Sequence, residues 1–260
     1  MRYIHLNMLL PRLPSLLRAL ALVPCLAVAL AAQAADVTVS AAASLTNAFR
    51  DIAPLFEAAH PGTKLQLNFG ASGALLAQIA KGAPADVFVS ADQESMDQAQ
   101  AQSLLKAGTR RDVVSNTLVV IVPSGAAAMP KALPDLAGYA RIAIGLPASV
   151  PVGRYTKAVL EQAGLWTQIE PKMIGATTVR QALDYVARAE VDAGFVYATD
   201  AAVMPDKVKV AFTVPTTKPV LYPLAVLQGG PNPTGGQKFV DFLFTPPAQA
   251  VLAKYGFGKP

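Results

Sequence analysis

Short β-type runs alternate with helical patterns along the chain from residue 37 to residue 255, and this alternation limits the possible folds more than any other feature. Residues 65–69 alternate apolar and polar side chains as a strand does, whereas residues 45–59 have the period of an amphipathic helix. Strands followed by helices of this length predict βαβ units, in which helices cover the faces of a parallel sheet. The chain is therefore expected to fold as an α/β protein.

The remaining elements continue the alternation to the end of the chain. Further strands are predicted at 37–40, 86–90, 118–122, 141–144, 172–174, 193–197, 208–212 and 224–227. Further helices are predicted at 75–81, 93–106, 153–163, 179–189, 236–243 and 247–255. The continuous apolar run at 118–122 is typical of a strand that is buried on both faces.

Two α/β lobes, with the chain returning to the first lobe, are the architecture we expect. The crossings are predicted near residues 113–117 and 220–223, so that the first lobe comprises 35–115 plus 223–260 and the second comprises 116–222. A single doubly wound sheet fits the same periodicity almost as well, because periodicity does not determine how strands are divided between sheets.

The first 34 residues have the layout of a secretory signal peptide. Three arginines and no acidic residue precede a short apolar core at 19–30, and small residues follow at Ala32 and Ala34. The core is too short for a membrane span, which needs about 20 residues. Cleavage after Ala34 would lower the formal charge from +5 to +2 and would remove Cys25, the one cysteine. An exported, periplasmic protein is predicted.

Several functional classes lack the residues that they need. After residue 34 the chain has one histidine, His60, in a His-Pro-Gly turn that indicates a structural role. Histidine-dependent nucleophilic catalysis thus has one candidate base, and no His/Cys cluster has the spacing of a transition-metal site. There is no Gly-x-x-x-x-Gly-Lys-Ser/Thr loop. No basic run with interleaved aromatic residues indicates a nucleic-acid partner.

Small residues recur where a strand gives way to a helix. Ser44 follows the first strand and Ser72 the second, residues 150–153 open a later helix, and Thr178 precedes another with Gln181 three residues on, as in a capping box. Simple helix capping, worth about 1 kcal/mol at each junction, explains any one of them. Four such junctions at the carboxyl ends of strands also predict a ligand site, because open α/β sheets bind ligands there.

Helix N-termini favour an anionic ligand at such a site. Their first N–H groups have no intrahelical acceptor and carry a positive partial charge. Together they bind an anion without lysine or arginine. Since every ligand oxygen must then accept a hydrogen bond, neutral donors favour a fully ionised oxyanion and oppose one that retains a proton.

Three motifs carry a family resemblance: residues 41–48 (AAASLTNA), 82–92 (GAPADVFVSAD) and 194–201 (GFVYATDA), followed by a closing Tyr255-Gly256-Phe257. Over residues 37–257 the chain resembles the periplasmic molybdate-binding proteins of ABC transporters, the ModA family. The resemblance implies a two-lobed type II periplasmic binding fold, with mixed sheets flanked by helices and the ligand in the interlobe cleft. It also implies molybdate or tungstate as cargo, no cofactor, no enzymatic activity, a monomer, and delivery to an ABC permease.

The resemblance assigns ligand-binding roles to five residues. Ser44 and Ser72 would each provide a hydroxyl and a backbone N–H, Val152 and Val179 would provide backbone N–H groups, and Tyr197 would donate its phenolic O–H. These groups would contact the oxygens of the anion and not its metal atom.

Charged residues near the motifs have other interpretations. Arg154 and Arg180 adjoin two of the ligand loops, but a family-like site uses no charged side chain, so both are interpreted as solvent-facing or structural. Asp86 and Asp92 flank a strand and are interpreted as capping or structural residues rather than metal ligands.

Other cargo and other functions remain alternatives. Sulfate has the same charge and shape as molybdate and differs mainly in size. Iron-binding relatives usually present several tyrosines, and sugar sites favour aromatic platforms. Here Tyr197 is the one tyrosine within the three longer motifs, and Trp166 lies beyond a helix. An enzyme on a similar fold would need a charged catalytic group in the cleft. A transcriptional effector domain would need a helix-turn-helix.

Overall fold

The computed structural model describes residues 36–260, and the predicted signal peptide at 1–34 lies outside them. Within this part of the chain, none of the helices is long and apolar enough to span a membrane. Ten strands and nine α-helices alternate along it.

The first sheet has five strands in the order β2-β1-β3-β10-β4. β1 runs parallel to β2 and β3, while β10 is antiparallel to both of its neighbours, so the sheet is mixed. Its strands are β1 (Val37–Ala42), β2 (Leu65–Gly70), β3 (Val87–Val89), β4 (Arg111–Asn116) and β10 (Val220–Val226).

The second sheet also has five strands, in the order β7-β6-β8-β5-β9. β6 is parallel to β7 and β8, and β5 is antiparallel to β8 and β9. Its strands are β5 (Leu118–Pro123), β6 (Ile142–Gly145), β7 (Met173–Ala176), β8 (Ala193–Tyr197) and β9 (Val208–Val214). The first five residues of β5 are buried, as predicted for a strand covered on both faces.

Helices flank both sheets, and α1 (Thr46–Ala59) buries one apolar stripe. α1 buries Ala48, Phe49, Ile52 and Phe56, the spacing of one helix face. Phe56 packs edge-on against Phe239 of α8 at 5.3 Å between ring centroids. The helices are α1 (Thr46–Ala59), α2 (Ser72–Ala80), α3 (Gln93–Ala101), α4 (Pro151–Gln162), α5 (Trp166–Ile169), α6 (Val179–Ala187), α7 (Ala198–Ala201), α8 (Pro233–Leu243) and α9 (Pro246–Lys254).

Two separate sheets confirm the two-lobed architecture, and the single doubly wound sheet is wrong. The chain passes from β4 to β5 at Thr117, within the first predicted crossing at 113–117. It returns to the first sheet between Val214 of β9 and Val220 of β10, just before the second predicted crossing at 220–223. The helix predicted at 93–106 is too long, since α3 ends at Ala101.

Candidate functional site

A cavity with about 210 Å³ of free space, part of it open to solvent, lies where the two lobes meet. The loops and helix starts that follow the carboxyl ends of strands provide most of its lining. All five residues singled out from the sequence lie on its wall. The lining residues are Ala42, Ala43, Ser44, Gly70, Ala71, Ser72 and Ala91 of the first lobe, and Val150, Pro151, Val152, Val179 and Tyr197 of the second.

Ser44 lies directly after β1, in a 3-10 turn over Ala43–Leu45 that leads into α1. Its side chain makes no capping hydrogen bond to the helix. Instead its Oγ lies 2.8 Å from the hydroxyl oxygen of Tyr222, a residue of β10. Simple capping is therefore the wrong explanation for this serine.

Ser72 is the first residue of α2 and is completely buried. Its Oγ accepts a hydrogen bond from the backbone N–H of Ala91 at 3.0 Å, across to the loop after β3. Here too the hydroxyl serves a distant backbone group and does not cap its own helix. As the first helical residue, Ser72 has a backbone N–H without an intrahelical acceptor.

Val152 and Val179 bring backbone N–H groups to the cavity from the first turns of α4 and α6. Both positions precede the fifth residue of a helix, so neither N–H has an intrahelical acceptor. At α6 the Thr178 hydroxyl caps the helix by accepting from Gln181 N–H at 3.0 Å, which leaves the Val179 N–H for another partner. The predicted capping box is incomplete, because the Gln181 side chain accepts from Thr177 N–H instead.

Tyr197 ends β8, and its buried hydroxyl has no hydrogen-bond partner among residues 36–260. Burial raises the pKa of this phenol well above its usual value, so the group keeps its proton and remains a donor. A buried polar group without a partner costs about 1–3 kcal/mol. A ligand oxygen in the cavity would relieve that cost.

Arg154 and Arg180 lie outside the cavity lining and connect the lobes. The Arg154 Nε is 2.6 Å from Asp92 Oδ2, and its Nη2 donates to Ser95 Oγ at 2.7 Å. Its side chain is 15% exposed and that of Arg180 is 21% exposed, so the solvent-facing interpretation is wrong for both. The structural interpretation fits their contacts.

Arg180 makes contacts on both sides of the cleft. Within the second lobe its Nε pairs with Asp200 Oδ1 at 2.5 Å. Its terminal nitrogens donate to the first lobe, one to Asn47 Oδ1 at 2.8 Å and the other to the backbone carbonyl of Ser44 at 3.1 Å. Arg180, a residue of the second lobe outside the cavity lining, therefore helps to hold the Ser44 turn in position.

The two aspartates that flank β3 have the structural roles expected of them. Asp86 Oδ2 accepts from the backbone N–H of Thr38 at 2.8 Å, which ties β3 to β1. Asp92 caps α3 by accepting from Ser95 N–H. In the described part of the chain no group of three or more His, Cys, Asp or Glu residues is arranged to hold a metal ion.

Tyr222 and Asn116 were not identified from the sequence, yet they contact the site. Tyr222 is completely buried, and its hydroxyl lies between Ser44 Oγ and Asn116 Nδ2. Tyr222 falls in a Pro-rich stretch and Asn116 at a predicted crossing, and neither belongs to a recognisable motif. No sequence signal indicated that the two approach Ser44.

Two lobes with a cavity between them are the arrangement of a solute-binding protein. The family model for bacterial extracellular solute-binding proteins matches residues 37–258. The molybdate-binding protein ModA of Escherichia coli is 39% identical over 85% of this chain and 88% of its own.

Two solved structures share the fold. The periplasmic molybdate-binding protein of Azotobacter vinelandii aligns with a TM-score of 0.75 at 24% identity, over 86% of this chain and 99% of its own. The sulfate-binding protein SubI of Mycobacterium tuberculosis aligns with a TM-score of 0.77 at 19% identity, over 86% of each chain. At these identities they show the fold alone.

The chain belongs to the bacterial extracellular solute-binding proteins, and among them to the ModA-type molybdate-binding proteins. The predicted type II periplasmic binding fold is thereby confirmed. The family consists of substrate-binding transport proteins and not of enzymes.

Proposed function

We propose that this protein captures molybdate or tungstate in the periplasm, as the fully ionised oxyanion, and delivers it to the permease of an ABC importer. The observation that carries the proposal is the buried Tyr197 hydroxyl, which has no acceptor among the described residues and lines an interlobe cavity. Similarity to ModA proteins supports the choice of anion.

Five residues form the proposed site. Ser44 and Ser72 donate through hydroxyl and backbone N–H, Val152 and Val179 through backbone N–H, and Tyr197 through its phenolic O–H. The anion's oxygens accept all of these bonds, so no protein atom contacts the metal directly and no cofactor is needed. We further propose two lobes divided near the predicted bounds, 35–115 plus 223–260 and 116–222, and a protein that acts as a monomer.

The electrostatics of the site favour an anion, although none of the residues among 36–260 that line the cavity has a charged side chain. The first turns of α2, α4 and α6 direct N–H groups and positive partial charge to it. Donors from both lobes would bind one anion, so ligand binding would favour the closed arrangement.

Sulfate is the second candidate, because a sulfate-binding protein shares the fold and sulfate is also a tetrahedral dianion. The two anions differ mainly in size, so the size of the cavity would decide which of them binds more tightly. Calorimetric titration of residues 35–260 with molybdate, tungstate, sulfate and phosphate tests the proposal. We expect tight one-to-one binding of the first two and weak binding of the others. Equal affinity for sulfate would contradict the assignment of the anion.

Alanine substitution of the two serines tests the site itself. Ser44→Ala and Ser72→Ala should each weaken molybdate binding by about 1.5–3 kcal/mol, the value of one hydrogen bond to a charged group. Ser124→Ala, in a loop of the second lobe outside the cavity lining, is the matched control. Wild-type affinity in both site variants would show that the anion binds elsewhere.

A further inference from the structure

We infer that Tyr222 and Asn116, which do not line the cavity, set the direction of the Ser44 hydroxyl so that its proton points to the ligand. They act as positioning residues through a chain of hydrogen bonds from Asn116 to Tyr222 to Ser44. The inference rests on the proposed oxyanion site and assigns part of its selectivity to residues behind it.

The series of hydrogen bonds begins with the amide of Asn116, whose orientation is fixed. Its Oδ1 accepts from the backbone N–H of Thr117 at 2.9 Å, and a flipped amide would place two donors against each other. The Nδ2 group therefore faces the other way. It donates one hydrogen to Tyr222 Oη at 3.1 Å and one to Thr199 Oγ1 at 2.8 Å.

The hydrogen bond from Asn116 in turn fixes the direction in which the Tyr222 hydroxyl donates. Burial raises its pKa well above the usual value, so it keeps its single proton. Its oxygen already accepts from Asn116, and within residues 36–260 its one other hydrogen-bond partner is Ser44 Oγ, at 2.8 Å. Because a buried O–H without an acceptor is costly, the Tyr222 proton is donated to Ser44.

Ser44 Oγ then accepts from the protein, and its own proton is free for the cavity that it lines. Ser72 reaches the same state by another route, because its Oγ accepts from the backbone N–H of Ala91. Both serines therefore present donors. A ligand that must itself donate, such as hydrogenphosphate, sets its donor against the proton that each hydroxyl directs to the cavity, whereas molybdate and tungstate only accept.

Hydrogenphosphate is a suitable probe because it is a dianion like molybdate but carries one donor. The experiment measures the Kd of molybdate and of phosphate by calorimetry, at a mildly alkaline pH where phosphate is the monoprotonated dianion. In Tyr222→Phe the Ser44 hydroxyl is free to rotate and to accept. We expect molybdate to bind a few-fold more weakly and the preference for molybdate over phosphate to narrow by about tenfold.

Asn116→Asp should have the larger effect on the ratio of Kd values, because it reverses the direction of the hydrogen bonds that link residue 116 to Tyr222 and Ser44. A carboxylate accepts the Tyr222 proton, so the Tyr222 oxygen accepts from Ser44 and a Ser44 lone pair faces the cavity. The added negative charge opposes both dianions alike, so the ratio of the two Kd values isolates the change of direction. We expect that ratio to narrow by more than tenfold. This variant also retains the Tyr222 side chain and its packing if Tyr222→Phe folds poorly.

Two controls separate a change in the direction of the Ser44 hydroxyl from a general effect of substitution on the structure. Tyr139→Phe removes an exposed hydroxyl that donates to Ala128 C=O, and it should leave both Kd values unchanged. In a Ser44→Ala background, Tyr222→Phe should no longer alter the ratio, since the group that it orients is gone.

The outcomes distinguish this inference from the proposed function. If the wild-type protein binds molybdate and both variants keep its molybdate-to-phosphate ratio, the positioning role is wrong and the function stands. A wild-type protein that binds no molybdate overturns both.

Discussion

The backbone N–H of Gly73, in the first lobe, donates a hydrogen bond to the backbone carbonyl of Ser149, in the second lobe, at 3.0 Å. A Cβ atom at position 73 would lie 2.8 Å from that carbonyl oxygen and 2.9 Å from the Ser149 Cα. The lobes therefore approach this closely because residue 73 has no side chain. The contact adjoins Ser72, so it also sets how near the second lobe comes to the proposed ligand.

Gly73→Ala should hold the lobes apart and weaken molybdate binding more than tenfold, as measured by calorimetry. The free energy of unfolding should change little, because the clash lies between lobes and alanine is the better helix former. Gly125→Ala is the matched control, since a Cβ there meets no atom within 4 Å. Wild-type affinity in Gly73→Ala would mean that the lobes close differently on the ligand.

Local chain geometry explains why two of the proposed site residues could be predicted from the sequence. The N-terminus of a helix that follows a strand lies at the carboxyl edge of the sheet whatever the strand order, so Ser72 and Val179 are placed by short segments alone. The family resemblance assigned ligand-binding roles to all five proposed residues, including Val152 and Tyr197, whose side chains look like those of ordinary core residues.

Long-range pairing explains what could not be identified. Tyr222 reaches Ser44 across 178 positions of sequence, because β10 returns to the first sheet between β3 and β4. Periodicity carries no information on that insertion. The partners of Arg154 and Arg180 likewise depend on how the lobes meet.

Tertiary contacts also overrode one local pattern. The apolar residues at 104–105 continue the helical period of α3, yet Ser103 has φ 56° and the chain turns there. Leu105 then forms a β-bridge with Leu227, the residue after β10. Pairing with a distant strand thus ended a helix that the sequence alone extends to residue 106.

Tyr197→Phe should affect folding and binding in opposite directions. The hydroxyl has no partner among the described residues, so its removal should leave the ligand-free protein at least as stable, with a gain of up to about 1 kcal/mol. Molybdate affinity should fall by about tenfold or more, because one donor to a charged ligand is lost. Urea unfolding and calorimetry measure the two effects. Unchanged affinity would remove Tyr197 from the site.

Arg154→Gln should weaken ligand binding from outside the cavity. The substitution removes the ion pair between Arg154 and Asp92 across the lobes, at positions 15% and 5% exposed, and leaves a buried carboxylate without its partner. We expect affinity to fall about tenfold, mainly through faster ligand release measured by stopped flow. Arg141→Gln is the control, since Arg141 pairs at 4.0 Å with Asp192 at the surface. Equal release rates in Arg154→Gln and wild type would contradict a role in closure.

Asp200 should make stability depend on pH in the mildly acidic range. Burial raises its pKa to about 6, against the opposing effect of Arg180, whereas an unfolded aspartate titrates near 3.8. The folded protein therefore binds this proton more tightly than the unfolded chain does. Its contribution to stability is complete below about pH 4 and is lost as pH rises through about 6.

Asp200→Asn removes that titration, so the stability of the wild type should fall relative to the variant as pH rises from about 4 to about 6, by up to about 3 kcal/mol. Chemical unfolding at several pH values, with ligand absent, measures the difference in slope. Asp192→Asn, at a side chain 38% exposed, provides the control for loss of a carboxylate. Parallel curves for wild type and Asp200→Asn would show that Asp200 remains ionised throughout, held by Arg180. The pairing of Arg180 with Asp200 would then be strong enough to offset complete burial of the carboxylate, and the support that Arg180 gives to the Ser44 turn would not vary with pH.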